Sequence, residues 1–131
     1  NPFSSAYCIK YSADFSSLNA TSAASHILSL TEIKADDRVK ALGEVFTPVK
    51  LVREMLNMVG TKDWMDPSKT FIDPACGNGN FLVEILKKRL DSGIMINDAL
   101  ETLYGIDIME DNIRECHSRI INLLKSRKIM F

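Results

Sequence analysis

The residues best placed for chemistry are an acid and a glycine loop, joined in Asp73-Pro74-Ala75-Cys76-Gly77-Asn78-Gly79-Asn80-Phe81. Glycine takes positive φ at little steric cost and lets the backbone approach a ligand closely. An aspartate just before the turn can accept hydrogen bonds from a ligand amine. The pattern points to binding of a small polar ligand. A dinucleotide loop of the G-x-G-x-x-G kind would need a third glycine where Leu82 stands, and no Gly-Lys-Ser/Thr occurs for a triphosphate loop, so neither fingerprint is met. A second acid, Asp107, ends the run Leu103-Tyr104-Gly105-Ile106. A carboxylate at such a strand end accepts ribose hydroxyls in nucleoside-binding α/β folds; the other use of the position is to help start the following helix, with Glu110 and Asp111.

The elements around these acids follow from hydrophobic spacing. Thr70-Phe71-Ile72-Asp73 reads as a short strand leading into the loop. The loop opens a helix with Phe81, Leu82, Ile85, Leu86 and Leu90 inward, Glu84 and Lys88 paired outside, and Gly93 just past its end. A short helix is expected after Asn97, through Leu100, then a second strand over Leu103–Ile108. A last helix from Glu110 buries Ile113, His117, Ile120, Ile121 and Leu124, with Glu110/Arg114 and Glu115/Arg119 as outward pairs. Upstream, Thr47 is the expected N-cap and Pro48 the first residue of a helix with Val52, Met55, Leu56 and Val59 on one face, ended by Gly60. Residues 62–69 read as a loop with an Asp66-Pro67 turn. Near the start, Phe3, Tyr7, Tyr11 and Phe15 share a helical spacing, and a second short helix is expected over Ala20–Leu30. The expected class is α/β: a partial Rossmann-like fold, a βαβα unit with parallel strands and right-handed crossover, preceded by N-terminal helices. Residues 1–35 are read as an extension and 36–131 as the binding portion. Ligands in such sheets lie beyond the carboxyl ends of the strands.

Composition narrows the class. With 131 residues, 25% charged and 46% hydrophobic, the chain suits one soluble globular unit. A net charge of -1 gives no overall basic signal for nucleic acid. The basic runs Lys87-Lys88-Arg89 and Lys125–Lys128 fall in last helical turns and are expected to be solvated ends. Three separated cysteines, no CxxC and two distant histidines argue against a disulfide framework or zinc site, so no metal site is expected. A reducing, cytoplasmic setting and no membrane association fit best, because no apolar stretch approaches the roughly 18 residues of a span. The opening Asn1-Pro2-Phe3 lacks signal-peptide features.

Three segments in order carry a family resemblance. Asp73 to Leu82 resembles the S-adenosylmethionine loop of amino-methylating DNA methyltransferases. Gly43-Glu44-Val45-Phe46-Thr47-Pro48 is similar to the Phe-Thr-Pro segment those enzymes place before it, and Tyr104-Gly105-Ile106-Asp107-Ile108 resembles their acidic second strand. Together they span about residues 38–125. The resemblance implies S-adenosylmethionine as cofactor and DNA adenine N6 as the methylated site, often within restriction–modification systems. It implies that Asp73, Pro74, Ala75, Cys76, Gly77 and Gly79 hold the methionine part, with Phe46, Thr47 and Pro48 closing over that end. Asp107 would take the ribose and Ile108 the adenine face, with Phe81 near the cofactor or in the core. Cys76 is expected to supply backbone and a small side chain, not a nucleophile.

The resemblance also implies an Asn/Asp-Pro-Pro-Tyr/Phe motif for the flipped base. No Pro-Pro occurs here, so no catalytic residue is assigned. The chain is expected to be the cofactor-binding part of a longer or split enzyme, inactive by itself, with DNA contacts mostly elsewhere. A second copy or a complementary chain is expected over the open edge of the first strand. The competing readings are an RNA or protein N-methyltransferase and a non-catalytic cofactor-binding or interaction module.

Overall fold

The computed structural model describes residues 45–128, together with the backbone of residues 7–10. In chain order the elements are β1 (Tyr7–Lys10), α1 (Val49–Leu56), α2 (Thr61–Met65), β2 (Phe71–Asp73), α3 (Asn80–Asp91), α4 (Ile96–Glu101), β3 (Leu103–Asp107) and α5 (Glu110–Ser126). β2 and β3 are parallel, with Phe71 opposite Leu103 and Asp73 opposite Gly105. The βαβα unit expected from the spacing is therefore present. The register puts Asp73 and Asp107 at the same, carboxyl end of the sheet.

The core lies where α3 and α5 pack on each other and on β3. Leu82, Leu86, Leu103, Cys116, Ile120 and Leu124 are all fully buried there. The approach is close: a Cβ on Gly105 would sit 2.4 Å from Leu82 Cδ1. A side chain at position 105 would thus have to displace the buried Leu82 side chain and crowd Cys76. Val52 and Leu56 join α1 to this core. Arg53 reaches from α1 to α3, where its Nε donates to Glu84 Oε2 at 3.1 Å.

Several local expectations change. α1 begins at Val49, and Pro48 occupies the N-cap position without a side-chain cap; Thr47 lies one residue outside. The segment read as a loop before β2 contains α2, nucleated around buried Trp64, whose ring stacks on Phe71 at 4.9 Å between centroids. Glu84 pairs with Arg53 and Lys87, while Lys88 donates to Asn57 Oδ1. Burial opposes the charge on Glu84, but the hydrogen bonds from Arg53 and Lys87 outweigh it and hold the carboxyl below its ordinary range.

Arg89, read as part of a solvated helix end, is 1% exposed. Its fork donates to the carbonyls of Trp64 at 3.2 Å, Asp66 at 2.6 Å and Lys69 at 3.4 Å, and to Thr102 Oγ1 at 3.2 Å.

The N-terminal reading also changes where it can be compared. Tyr7–Lys10, expected on a helical stripe, is a strand antiparallel to β3, with Tyr7 opposite Asp107 and Lys10 opposite Tyr104. The sheet order is therefore β1-β3-β2, and β3 is paired on both sides. The stripe residues Phe3, Tyr11 and Phe15 and the helix expected over Ala20–Leu30 lie outside the described residues.

Candidate functional site

The loop between β2 and α3 folds back over the end of β3. Cys76 N–H donates to the Ile106 carbonyl at 2.9 Å, and Gly79 N–H to the Cys76 carbonyl at 2.9 Å. Gly79 is the N-cap of α3 and has a φ of 91°, in the left-handed region. A Cβ there would lie 2.4 Å from Cys116 Sγ, so both conformation and space require glycine. The same turn leaves Cys76 buried beside Cys116. The Cys116 thiol, hydrogen-bonded with Cys76 and buried, is pushed far above its ordinary pKa and stays protonated.

The folded loop, the Val45–Thr47 segment and the end of β3 line a cavity of about 310 Å³, at the small end of the range for ligand pockets. Both acids line it. Asp73 Oδ1 accepts from Ala75 N–H at 3.1 Å. Burial raises the Asp73 pKa, the Ala75 amide offsets part of this, and the facing Asp107 raises it further.

Asp107 is held more tightly. Its Oδ2 accepts from Gly77 N–H at 2.9 Å, and its Oδ1 from Met109 N–H at 2.8 Å and Asn112 Nδ2 at 3.3 Å. One acid thus supports both the glycine loop and the entry to α5. Among the described residues neither carboxylate forms an ion pair. The site is a cavity with two carboxylates and, among the described residues, no cation paired with either.

The family model for N-6 DNA Methylase matches residues 29–124. The chain belongs to this family. A curated relative, Type II methyltransferase M.PaeR7I of Pseudomonas aeruginosa, is 25% identical over 108 residues, covering 76% of this chain. The chain spans 19% of that relative's length. No solved structure is a significant match.

In this N-6 DNA methylase chain, eight of the residues singled out from the sequence meet at the cavity: Phe46, Thr47, Asp73, Ala75, Cys76, Gly77, Phe81 and Asp107. Pro48, Pro74, Gly79 and Ile108 do not line it. Pro48 is exposed at the N-cap of α1 and Pro74 in the turn after β2, Gly79 is buried under α5, and Ile108 is 63% exposed just past β3. Phe46 lies against the loop, since a Cβ on Gly77 would meet its ring at 3.0 Å.

Val45, Asn78 and Asn80 line the cavity without having been singled out. Asn78 and Asn80 sit inside the quoted loop, and their alternation with the glycines was the available signal. Asn78 Oδ1 is buried with no hydrogen-bond partner among the described residues. Among the described residues no His/Cys/Asp/Glu group could hold a metal ion, and no helix is long and apolar enough to cross a membrane.

Proposed function

We propose that this chain binds S-adenosylmethionine in the cavity shared by Asp73 and Asp107, as part of an enzyme that methylates the N6 amine of adenine in DNA. The observation that carries this reading is the meeting of two carboxylates, without an ion-pair partner among the described residues, in one small cavity beyond the ends of parallel strands. A cationic nucleoside suits such a place, because opposite charge favours the ionised form of Asp73, which burial and the facing Asp107 disfavour. The buried Asn78 Oδ1 adds an acceptor still in need of a donor.

The roles then divide by position. Asp73 receives the ammonium of the methionine part, with the backbone of Pro74, Ala75, Cys76, Gly77 and Gly79 shaping the wall around it. Phe46 and Thr47 close that end, with Pro48 fixing where α1 begins. Asp107 receives the ribose. A carboxylate offers about four acceptor positions, and three are engaged, so gripping both hydroxyls displaces one donor, the Gly77 amide being the one that faces the cavity. Exposed Ile108 is available to pack on the adenine, and Phe81 borders the cavity from α3. When bound, the cofactor supplies an electrophilic methyl group.

The residues that hold a target adenine are not assigned in this chain, since the sequence has no Pro-Pro pair. Binding of the cofactor without methylation is the behaviour proposed for the chain alone. DNA is the proposed macromolecular partner, contacted mainly by other parts of the enzyme.

Calorimetric titration tests the reading. Heat is expected with S-adenosylmethionine and none with NAD. Asp107→Asn should weaken binding at least about tenfold, the loss of a charge-assisted hydrogen bond of roughly 1.5 kcal/mol or more. Absence of heat with S-adenosylmethionine would overturn it.

A further inference from the structure

Arg119 was expected in an outward pair on α5, but its side chain turns toward the cavity wall. Its Nη1 donates to the Asn78 carbonyl at 3.0 Å and to Asn80 Oδ1 at 2.7 Å. On the other side of the same amide, Asn80 Nδ2 donates to the Thr47 carbonyl at 2.7 Å. Three segments far apart in sequence thus meet at one side chain: α5, the glycine loop, and the stretch before α1.

The chemistry of the groups fixes the direction. Guanidinium only donates, so Arg119 holds the Asn80 oxygen toward α5. The amide nitrogen must then face the other way, where the Thr47 carbonyl accepts. Arg119 selects one of the two amide orientations, and that orientation is the one able to hold Thr47. Arg119 itself does not line the cavity, whereas Phe46, Thr47 and Asn80 do.

We propose that Arg119 and Asn80 are positioning residues that hold the Phe46–Thr47 wall against the glycine loop and so set how well the cavity retains its ligand. The affinity part rests on the S-adenosylmethionine reading; the ordering of the wall does not. Asn80 lies at the first position of α3, where a negative charge is favoured by the helix dipole. Asn80→Asp therefore keeps an acceptor for Arg119 and does not weaken the helix start, but it replaces the donor to Thr47 with a repelling oxygen. Arg119→Met removes the orienting donor at similar length, and Arg119→Lys restores a donor without the fork.

The test has two arms on the 131-residue chain. Without ligand, ¹⁵N relaxation at Phe46 and Thr47 is compared with that of amides in α3 and α5. In Asn80→Asp and Arg119→Met the order parameters at Phe46 and Thr47 should fall while those of the helices are unchanged, and Arg119→Lys should fall between these and the unaltered chain. With S-adenosylmethionine, dissociation should speed up by about tenfold in both variants, with association little changed. Because Asn80 borders the cavity, its new charge could act on the ligand directly; Arg119→Met carries no such charge and must show the same loss. Unchanged order parameters at Phe46 and Thr47 in both variants overturn the proposal, whatever the ligand does. If the unaltered chain binds no S-adenosylmethionine, the cofactor reading fails, and the amide arm still decides the relay.

Discussion

Asp73 sits half-buried at the end of β2, facing Asp107 across the cavity, and burial holds its pKa above the ordinary value of 3.8. Ionisation of the group is disfavoured where it stands, and a cation bound there would relieve this. Asp73→Asn should therefore stabilise the ligand-free chain at pH 7 and, on the proposed cofactor reading, weaken S-adenosylmethionine at least about tenfold, since the ammonium would lose a charged acceptor. Because the folded-state pKa is raised, the folded chain binds the proton more tightly than the unfolded chain. The stabilising effect of that proton is complete below about pH 3.8 and is lost as pH rises through the folded pKa. The stability gap between wild type and Asp73→Asn should be small in acid and widen upward through that window. Glu84 has the opposite sign, stabilising above 4.5 and losing this as pH falls, but it is common to both proteins and cancels in the difference. Urea unfolding of the pair from pH 3 to 7 measures it; a gap that narrows with rising pH would contradict the argument.

At the scale of elements, what holds the site is a helix whose two ends do different work. The amino end of α3 forms the cavity wall. Its carboxyl end, through Arg89, gathers the carbonyls of the chain between α2 and β2 and so fixes where β2 begins. Among the described residues Arg89 has no carboxylate at ion-pair distance, and burial lowers its pKa, with the charges of Asp66 and Asp98 opposing this in part. Arg89→Met would leave several carbonyls without donors and should cost about 3–5 kcal/mol of stability in urea unfolding. Arg89→Lys should recover only part of this, because an ammonium cannot reach both sides of the fork; full recovery would show that charge alone suffices.

This helix also shows what the sequence could and could not reveal. The loop and Asp107 were legible because their signal is local: glycines, an acid and an apolar run, in an order that a parallel sheet brings to one end. Arg89 was misread by the same local logic, since a cation in a last helical turn usually faces water, and only the packing of residues 63–69 against that turn buries it. Arg119 and Asn80 act across 39 residues and Asn80 and Thr47 across 33, separations that carry no periodic signal. β1 was missed because four residues say little alone, and their pairing is decided by the free edge that β3 offers.

At the scale of the whole molecule, the parallel pair is unevenly protected. β3 is flanked by β1 and β2, whereas among the described residues no strand pairs with the outer edge of β2. Ile72, in the middle of that edge strand, is 60% exposed. Edge strands are usually guarded by charge, proline or a covering element, and β2 itself offers only Asp73, which is turned into the cavity. Net charge gives little help, because at -1, with an isoelectric point near 6.1, two copies repel each other weakly. A second copy of the chain is therefore the expected occupant of this edge at high concentration. Sedimentation should show reversible association that strengthens from pH 8.5 toward pH 6 as residual charge falls. Ile72→Lys places a guarding charge on the edge while leaving both cavity acids in place, so it should shift the chain toward monomer with unchanged S-adenosylmethionine binding. A chain that stays monomeric near its isoelectric point would show that the edge is already protected. If association persists equally in Ile72→Lys, the contact lies elsewhere on the surface.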